Sequence, residues 1–220
     1  VRLNRTGTIP EILEGVIDLA AVGNLSGHKS EPMETYYANL MRVMEMVKQS
    51  HHFGYLIYIS TSSVTLDYQT YYSASKLACE NFLKIWSRDN NFPVAIIRPY
   101  TIIGPREHKE HLIPKLIESA LEKKEMPFVG EPMHDFLDVR DFASAIELIK
   151  NNIAEFRGEV FEIGSGVQRS NQSVMLDIED ITQEKCKVKR VDSMRAYDTQ
   201  RWLANDEKIK RLGWEKKYTF

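Results

Sequence analysis

Cysteine is scarce in this sequence, and positive charge is not in excess. The two cysteines, Cys79 and Cys186, lie far apart without CxxC spacing, which disfavours a disulfide framework or a cysteine metal site and indicates a reducing compartment. Lysine and arginine number 29 against 31 acidic residues, for a formal net charge of -2. Such a chain has no basic surplus to neutralise a phosphate backbone, so we expect no nucleic-acid partner.

Long hydrophobic runs and targeting patterns are also lacking. No apolar run approaches the ~20 residues that a membrane helix needs, and the first residues lack the pattern of a signal peptide. We therefore expect a cytoplasmic protein that does not bind a membrane. The length of 220 residues suits one large α/β domain, with or without a small appendage.

Short apolar runs alternate with segments of helical periodicity. Four runs without a helical period are typical of buried strands: 16–21, 55–59, 94–97 and 160–163. Four segments place their apolar residues on one helical face: 33–47, 71–87, 112–121 and 139–149, the last with Asp138 as its N-cap. This alternation predicts parallel βαβ units and a doubly wound α/β sheet, and the more polar sequence from Val167 onward predicts a small α+β lobe.

Polar residues follow the predicted strand ends, where an open parallel sheet binds its ligands. Thr61 follows the strand that ends at Ile59, and Tyr72 and Lys76 lie four apart at the start of the next helix. Residues four apart share a helix face, so we expect the Lys76 ammonium to lower the pKa of the Tyr72 phenol. Tyr72 would then serve as an acid or base, with Thr61 bonded to the same substrate oxygen. From these residues alone, a surface helix with a chance lysine is the alternative.

Several short motifs occur in an order that resembles the extended short-chain dehydrogenase/reductase family, which includes NAD-dependent nucleotide-sugar epimerases and dehydratases. The resemblance covers nearly the whole chain and depends on the joint order of the motifs. In chain order they are Leu19-Ala20-Ala21, Asn39, Ser60-Thr61, Tyr72-x-x-x-Lys76, Arg98-Pro99 with Gly104-Pro105-Arg106, Asp135-Phe136-Leu137-Asp138-Val139 with Asp141, Phe161-Glu162-Ile163-Gly164-Ser165-Gly166, Arg195-x-x-Asp198 and Leu212-Gly213-Trp214.

The resemblance implies a Rossmann-like fold, a tightly held NAD (NADP is also possible), and hydride transfer at a carbon of a nucleotide-diphosphate sugar. It implies that Tyr72 takes the proton of the sugar hydroxyl, that Lys76 bonds the nicotinamide ribose, and that Thr61 steadies the shared proton. Asn39 is expected to shape the site through hydrogen bonds to the backbone. The residues expected to line the cofactor are Leu19, Ala20, Ala21, Tyr72, Lys76 and Pro99.

The substrate side departs from the family pattern at two positions. His134 stands where the family usually has arginine, and Thr101 replaces an asparagine. By resemblance both contact the substrate, together with Asp198 and with Arg195, whose guanidinium would clamp the diphosphate. The expected domains are a partial NAD(P)-binding Rossmann domain, 1–100 plus about 136–166, and a substrate-binding lobe, about 101–135 and 167–220.

The reaction expected from the sequence is epimerisation through a transient keto sugar. Dehydratases of the family carry an Asp-Glu pair after the threonine, and this chain has Ser62-Ser63, which argues against loss of water. Two serines that merely cap a loop are the alternative interpretation. A reductase or dehydrogenase using the same three residues remains open, as does a non-catalytic remnant.

The glycine-rich turn of the family is absent from the printed sequence. No GxxGxxG or GxGxxG occurs, and Gly164-x-Gly166 lies too late to serve. We expect the family's first strands to precede Val1 in the natural protein, and the printed chain to hold NAD weakly. The connection from Thr61 to Tyr72 is also shorter than the family usually has, and a missing loop is one interpretation of this.

A homodimer is the expected assembly. In similar proteins the helices beginning at Met33 and Tyr71 form a four-helix bundle across a two-fold axis, and symmetric dimers are the commonest assembly. The apolar residues that we assign to this surface are Tyr36, Tyr37, Met44, Phe82 and Trp86.

Overall fold

The computed structural model describes residues 12–23, 32–191 and 198–219. The helices are α1 Pro32–Lys48, α2 Tyr71–Asp89, α3 Leu112–Glu122, α4 Val139–Asn151, α5 Asn171–Thr182 and α6 Glu207–Arg211. The strands are β1 Val16–Asp18, β2 Leu56–Ile59, β3 Val94–Pro99, β4 Thr101–Ile103, β5 Met126–Phe128, β6 Met133–Asp138, β7 Arg157–Ile163, β8 Gln168–Ser170 and β9 Val188–Arg190.

Four parallel strands form the main sheet in the order β1-β2-β3-β7. In register, Asp18 lies beside Tyr58, Ile59 beside Ile97, and Pro99 beside Ile163. The carboxyl ends of all four strands therefore meet at one edge of the sheet. The predicted Rossmann-like α/β fold is confirmed.

Both faces of this sheet are covered, which explains why its strands are continuous apolar runs rather than alternating ones. Alternate residues serve opposite faces. Leu56, Tyr58 and Ile96 belong to a buried cluster with side chains of α1 and α2. Ile57 and Ile97 belong to a second buried cluster, which side chains of α4 complete. All five of these side chains are fully buried.

Two smaller sheets lie outside the main one. The first is β4-β6-β8 and the second pairs β5 with β9 in parallel. A third buried cluster joins them to α3 and α5 through Leu116, Phe128, Phe136 and Val174. These elements occupy the sequence expected for the substrate lobe, and the division into two domains stays a prediction.

Two buried carboxylates, one on β6 and one on α4, bind later segments of the chain. Asp135 accepts hydrogen bonds from the backbone N–H groups of Ser165, Gly166 and Ala204, at 2.5, 3.1 and 3.1 Å. A Cβ atom on Gly164 would lie 2.5 Å from the Asp135 carboxylate, so only glycine fits beside it. Asp141 accepts from the N–H groups of residues 217 and 218 in the same way.

The predicted elements agree with the structure apart from the first strand, which is shorter than its apolar run. It ends at Asp18, because the carboxylate of Asp18 accepts a hydrogen bond from Ala20 N and turns the chain out of the sheet. The start of α2 is fixed by a capping box between Thr70 and Ser73. Asp138 caps α4 as expected.

Within the described residues, no helix is both long enough and apolar enough to cross a membrane.

Candidate active site

The site lies where three neighbouring strands of the main sheet end. Leu19, Ala20 and Ala21 follow β1, Thr61 follows β2 by one residue, and Pro99 is the last residue of β3. Because β2 pairs with both β1 and β3, these segments lie side by side. Leu19, Ala20 and Ala21 are exposed, and Thr61 and Pro99 are partly exposed. This is the edge at which an open α/β sheet binds ligands.

Thr61 and Tyr72 interact at the end of β2. Thr61 has extended backbone and caps a short 3-10 turn, Ser62–Thr65, by accepting a hydrogen bond from Ser63 N at 3.2 Å. Tyr72 is the second residue of α2 and is partly exposed. Burial raises the pKa of the Tyr72 phenol, and hydrogen bonding with the Thr61 side chain acts in the opposite direction. The structure thus brings together the two groups that the sequence paired.

Lys76 does not act on Tyr72 as the sequence predicted. Its Nζ donates a hydrogen bond to the carbonyl of Ile59 at 2.5 Å and lies 4.3 Å from the centre of the Tyr58 ring. The expectation that the Lys76 ammonium lowers the pKa of Tyr72 is therefore wrong, since burial raises that pKa. The side chain of Lys76 is long enough to turn from the shared helix face to the buried end of β2.

Burial has a large effect on Lys76 itself. The residue is 1% exposed, and desolvation lowers its pKa to about 8 although the nearby Asp18 carboxylate favours the charged form. A buried amine of this kind is a compact hydrogen-bond donor at a strand end. The expected role of Lys76 toward the cofactor stays a prediction.

Asn39 shapes the site through the backbone, as expected. Its side chain accepts a hydrogen bond from Val22 N at 2.8 Å and donates one to Val22 O at 3.0 Å. It also donates to Ser75 Oγ at 2.9 Å, and Ser75 Oγ donates to the carbonyl of Tyr72 at 2.8 Å. A single buried amide on α1 thus connects the segment after β1 to the first turn of α2.

The sequence analysis missed a charged network beneath the site. Glu80, one turn after Lys76 on α2, accepts hydrogen bonds from Ser60 Oγ at 2.6 Å and from Arg98 Nη2 at 2.7 Å. Arg98 also lies 3.5 Å from Glu162 on β7. Ser60 and Arg98 immediately precede Thr61 and Pro99, so the network holds the ends of β2 and β3. The sequence did contain a signal for Glu80, because it lies four residues after Lys76, just as Lys76 lies four residues after Tyr72.

Two further residues that the sequence analysis did not assign are the last residue of β1 and its partner on α1. Asp18 is buried and forms an ion pair with Arg42 of α1 at 2.5 Å. An acidic residue at the end of an apolar run was the available signal for this pair.

The predicted substrate residues lie on other elements. Thr101 opens β4, where it is paired with Phe136 in register. His134 is on β6 opposite Arg169, and its ring is 5.3 Å from that of Trp202. Asp198 is partly exposed in the segment that precedes Trp202. Arg195 lies outside the described residues, and the substrate roles of all four residues stay predictions.

The Rossmann-like sheet carries a tyrosine, a threonine and a buried lysine at its carboxyl edge, the arrangement expected from the resemblance to the extended short-chain dehydrogenase/reductase family. The sequence model of the NAD dependent epimerase/dehydratase family matches residues 10–164. The chain belongs to this family.

Its relatives include enzymes that act on nucleotide sugars. The chain is 30% identical to the low-salt glycan biosynthesis protein of Haloferax volcanii over 154 residues, which are 68% of this chain and 48% of that protein. It is 31% identical to dTDP-glucose 4,6-dehydratase 1 of Escherichia coli over 161 residues, 68% of this chain and 44% of that enzyme. The chain thus spans about half the length of these curated relatives.

A solved structure with the same fold is dTDP-glucose 4,6-dehydratase from Bacillus anthracis in complex with NAD. It superposes with a TM-score of 0.79 at 25% identity, over 94% of this chain and 69% of that one.

Proposed function

We propose that the natural protein catalyses NAD-dependent epimerisation of a nucleotide-diphosphate sugar through a transient keto intermediate, with Tyr72 as acid and base. The observation that carries the proposal is the interaction of Tyr72 with Thr61 at the end of β2, with Lys76 buried beside that strand end. Membership of the epimerase/dehydratase family supplies the substrate class and the cofactor class.

The residues at the sheet edge fit the nicotinamide side of NAD. Leu19, Ala20 and Ala21 offer small or apolar side chains that are exposed at the end of β1, as a flat ring requires. An ammonium has three N–H donors, and Ile59 O accepts one from Lys76. A ribose hydroxyl that reached this buried side chain could accept one of the other two. NAD held there would supply the hydride acceptor for oxidation of a sugar carbon and the hydride donor for its re-reduction. NADP would fit this half of the site equally.

Tyr72 moves the proton that accompanies the redox change. Because burial raises its pKa, the phenol carries its proton at neutral pH and is ready to donate to a keto oxygen during re-reduction. In the oxidation half, the phenol first loses its own proton to solvent, and the phenolate oxygen then takes the proton of the sugar hydroxyl. Thr61 keeps the phenol oriented, and its hydrogen bond favours the ionised form that this half requires.

The two serines after Thr61 support epimerisation or simple redox rather than dehydration. Ser62 and Ser63 are buried in the 3-10 turn, and Ser63 Oγ lies 3.0 Å from Thr61 Oγ1. A neutral serine hydroxyl is a poor substitute for the carboxylic acid that would protonate departing water. This chain therefore differs in its chemistry from the dehydratases that it resembles, and the alternative is an NAD(P)-dependent nucleotide-sugar reductase or dehydrogenase.

The test is a substitution of Tyr72 in the full natural protein. A panel of UDP- and dTDP-sugars would be incubated with the protein, and the products would be identified by NMR. Tyr72→Phe should lower turnover by about 10²-fold or more, the usual effect of a positioned acid–base group. Tyr71→Phe is the matched control, because Tyr71 is the exposed neighbour on the same helix turn.

Each outcome decides between the candidates. An epimer without net NADH formation supports the proposal, whereas stoichiometric NADH formation selects the dehydrogenase and a dehydrated keto sugar selects the dehydratase. Unchanged turnover in Tyr72→Phe would contradict the role of Tyr72. A protein that converts none of these sugars and binds no NAD would be the non-catalytic remnant.

A further inference from the structure

The segment after β1 is held on its α1 side by a set of contacts that the proposed chemistry does not use. Asp18 Oδ1 accepts hydrogen bonds from Ala20 N at 3.2 Å and from Arg42 Nη1 at 2.5 Å. Arg42 Nη2 donates to Ala20 O at 2.5 Å. One guanidinium and one carboxylate thus engage both the N–H and the carbonyl of Ala20.

Asn39 of α1 adds hydrogen bonds to the same segment. Arg42 and Asn39 are three residues apart on α1, so they share a helix face. Asn39 holds Val22 by its N–H and its carbonyl, and its amide reaches Ser75 of α2. Alternate residues after β1, Ala20 and Val22, are therefore both anchored to α1, which is itself connected to the turn that carries Tyr72.

The ion pair is not a simple surface contact. The side chain of Asp18 is 5% exposed and that of Arg42 is 27% exposed. Asp18 Oδ2 is buried without a hydrogen-bond partner among the described residues. Arg42 is the cation that bonds this carboxylate directly, and the nearby Lys76 ammonium also attracts it. A buried charge that loses its hydrogen-bonded partner is strongly destabilising.

We propose that Asp18 and Arg42 are positioning residues that hold the main chain of Leu19–Ala21 in place relative to Tyr72. The inference rests on the proposed function, in which that segment faces the nicotinamide. A planar guanidinium can bond the carboxylate and the Ala20 carbonyl with two different nitrogens at once, whereas a lysine ammonium is a compact point charge. The position of the Leu19–Ala21 segment therefore requires an arginine. Stabilisation of the buried Asp18 carboxylate requires only a positive charge at position 42.

The test separates these two roles with three variants of the full natural protein. Arg42→Lys keeps the positive charge but loses the planar guanidinium that bonds two acceptors at once. Arg42→Met removes both and strands the buried carboxylate. The double variant Asp18→Asn/Arg42→Met removes the stranded charge as well. Arg88→Met is the matched control, because Arg88 forms an exposed ion pair with Asp89 on α2.

Two measurements are made on each variant. NADH fluorescence gives the dissociation constant of the reduced cofactor, and amide hydrogen exchange reports the Ala20 and Val22 N–H groups. In Arg42→Lys we expect NADH to bind about three- to tenfold more weakly, the effect of one lost hydrogen bond. Exchange at Ala20 should accelerate by a similar factor, while Val22, held by Asn39, changes little.

The double variant provides the decisive comparison. It should recover the melting temperature lost in Arg42→Met, while its NADH affinity stays low because the segment is still released. If the double variant recovered both NADH affinity and melting temperature, Asp18 and Arg42 would have a structural role only. If Arg42→Lys bound NADH as tightly as the unsubstituted protein, the positioning role alone would be overturned. If the unsubstituted protein did not bind NADH, the proposed function would be overturned together with this role.

Discussion

Glu80 and Arg98 form a bidentate ion pair between α2 and β3, with Arg98 Nε 3.0 Å and Nη2 2.7 Å from the two oxygens of a fully buried carboxylate. Ser60, the residue after β2, donates a third hydrogen bond to this carboxylate. Buried charges are tolerated when their geometry is good and their remaining lone pairs are satisfied, as they are here. The pair therefore connects the helix that carries Tyr72 to the two strand ends that it faces.

Removal of one member of this pair should destabilise the chain. Among the described residues, Glu80→Ala leaves the partly buried Arg98 with only its longer contact to Glu162. We therefore expect a loss of about 3 kcal/mol in the free energy of unfolding. Urea unfolding followed by circular dichroism measures it. Asp89→Asn, which breaks an exposed ion pair, should cost less than about 0.5 kcal/mol. A cost for Glu80→Ala as small as that control would show that the network is not structural.

The Tyr72 phenol should titrate above its ordinary range in the protein without ligands, because burial raises its pKa. The difference in tyrosinate absorbance between the unsubstituted protein and Tyr72→Phe isolates this one group. Thr61→Val should move the midpoint further upward, since hydrogen bonding with Thr61 lowers the pKa. A midpoint below 10.0, the ordinary value for tyrosine, would restore the sequence-based expectation about Lys76.

Lys76 should make stability depend on pH. Burial lowers its pKa from 10.5 to about 8, so between these values the unfolded chain binds a proton that the folded chain does not. The contribution of Lys76 to the free energy of unfolding is therefore fully present above 10.5 and is lost as the pH falls through about 8.

The comparison with Lys76→Met isolates this contribution. The unsubstituted chain should gain about 3 kcal/mol relative to the variant as the pH rises across that window. Urea unfolding at a series of pH values measures the difference. If the difference in free energy of unfolding between the two proteins did not vary with pH, the lowered pKa of Lys76 would be contradicted.

Asp135 should be required for docking of the segment after Asp198. Asp135→Asn replaces one acceptor oxygen by an N–H donor that would face a backbone N–H, so at least one of its three hydrogen bonds is lost. A loss of about 2 kcal/mol is expected, in line with hydrogen bonds to charged groups. Limited proteolysis should then cut near Ala204 more rapidly. Equal rates in both proteins would contradict this role for the carboxylate.

A homodimer through α1 and α2 remains our prediction for the assembly. These helices pack against each other and leave Met33, Tyr37 and Ile85 exposed. Phe82 and Trp86, which the sequence assigned to the same surface, are instead partly buried against the chain's own core. Light scattering at about micromolar concentration should give a dimer. Tyr37→Glu with Ile85→Glu should give a monomer, and a monomeric unsubstituted protein would contradict the prediction.

Much of the fold was readable from the sequence. A strand covered on both faces must be apolar throughout, so β2 and β3 were visible as unbroken runs, and helices on such a sheet must present one apolar stripe. Because parallel strands end at one edge, the sequence also placed Thr61 and Tyr72 together.

Only the tertiary structure decided which partners the charged side chains take. Helical spacing put Lys76 on the same face as Tyr72, yet its ammonium bonds the carbonyl of Ile59 beneath them. The pairs Glu80–Arg98 and Asp18–Arg42 join residues 18 and 24 positions apart. Hydrophobic periodicity describes one helix or strand at a time. A buried charged side chain instead pairs with a group on a neighbouring element, and the packing of the helices and strands decides which groups lie within hydrogen-bond distance.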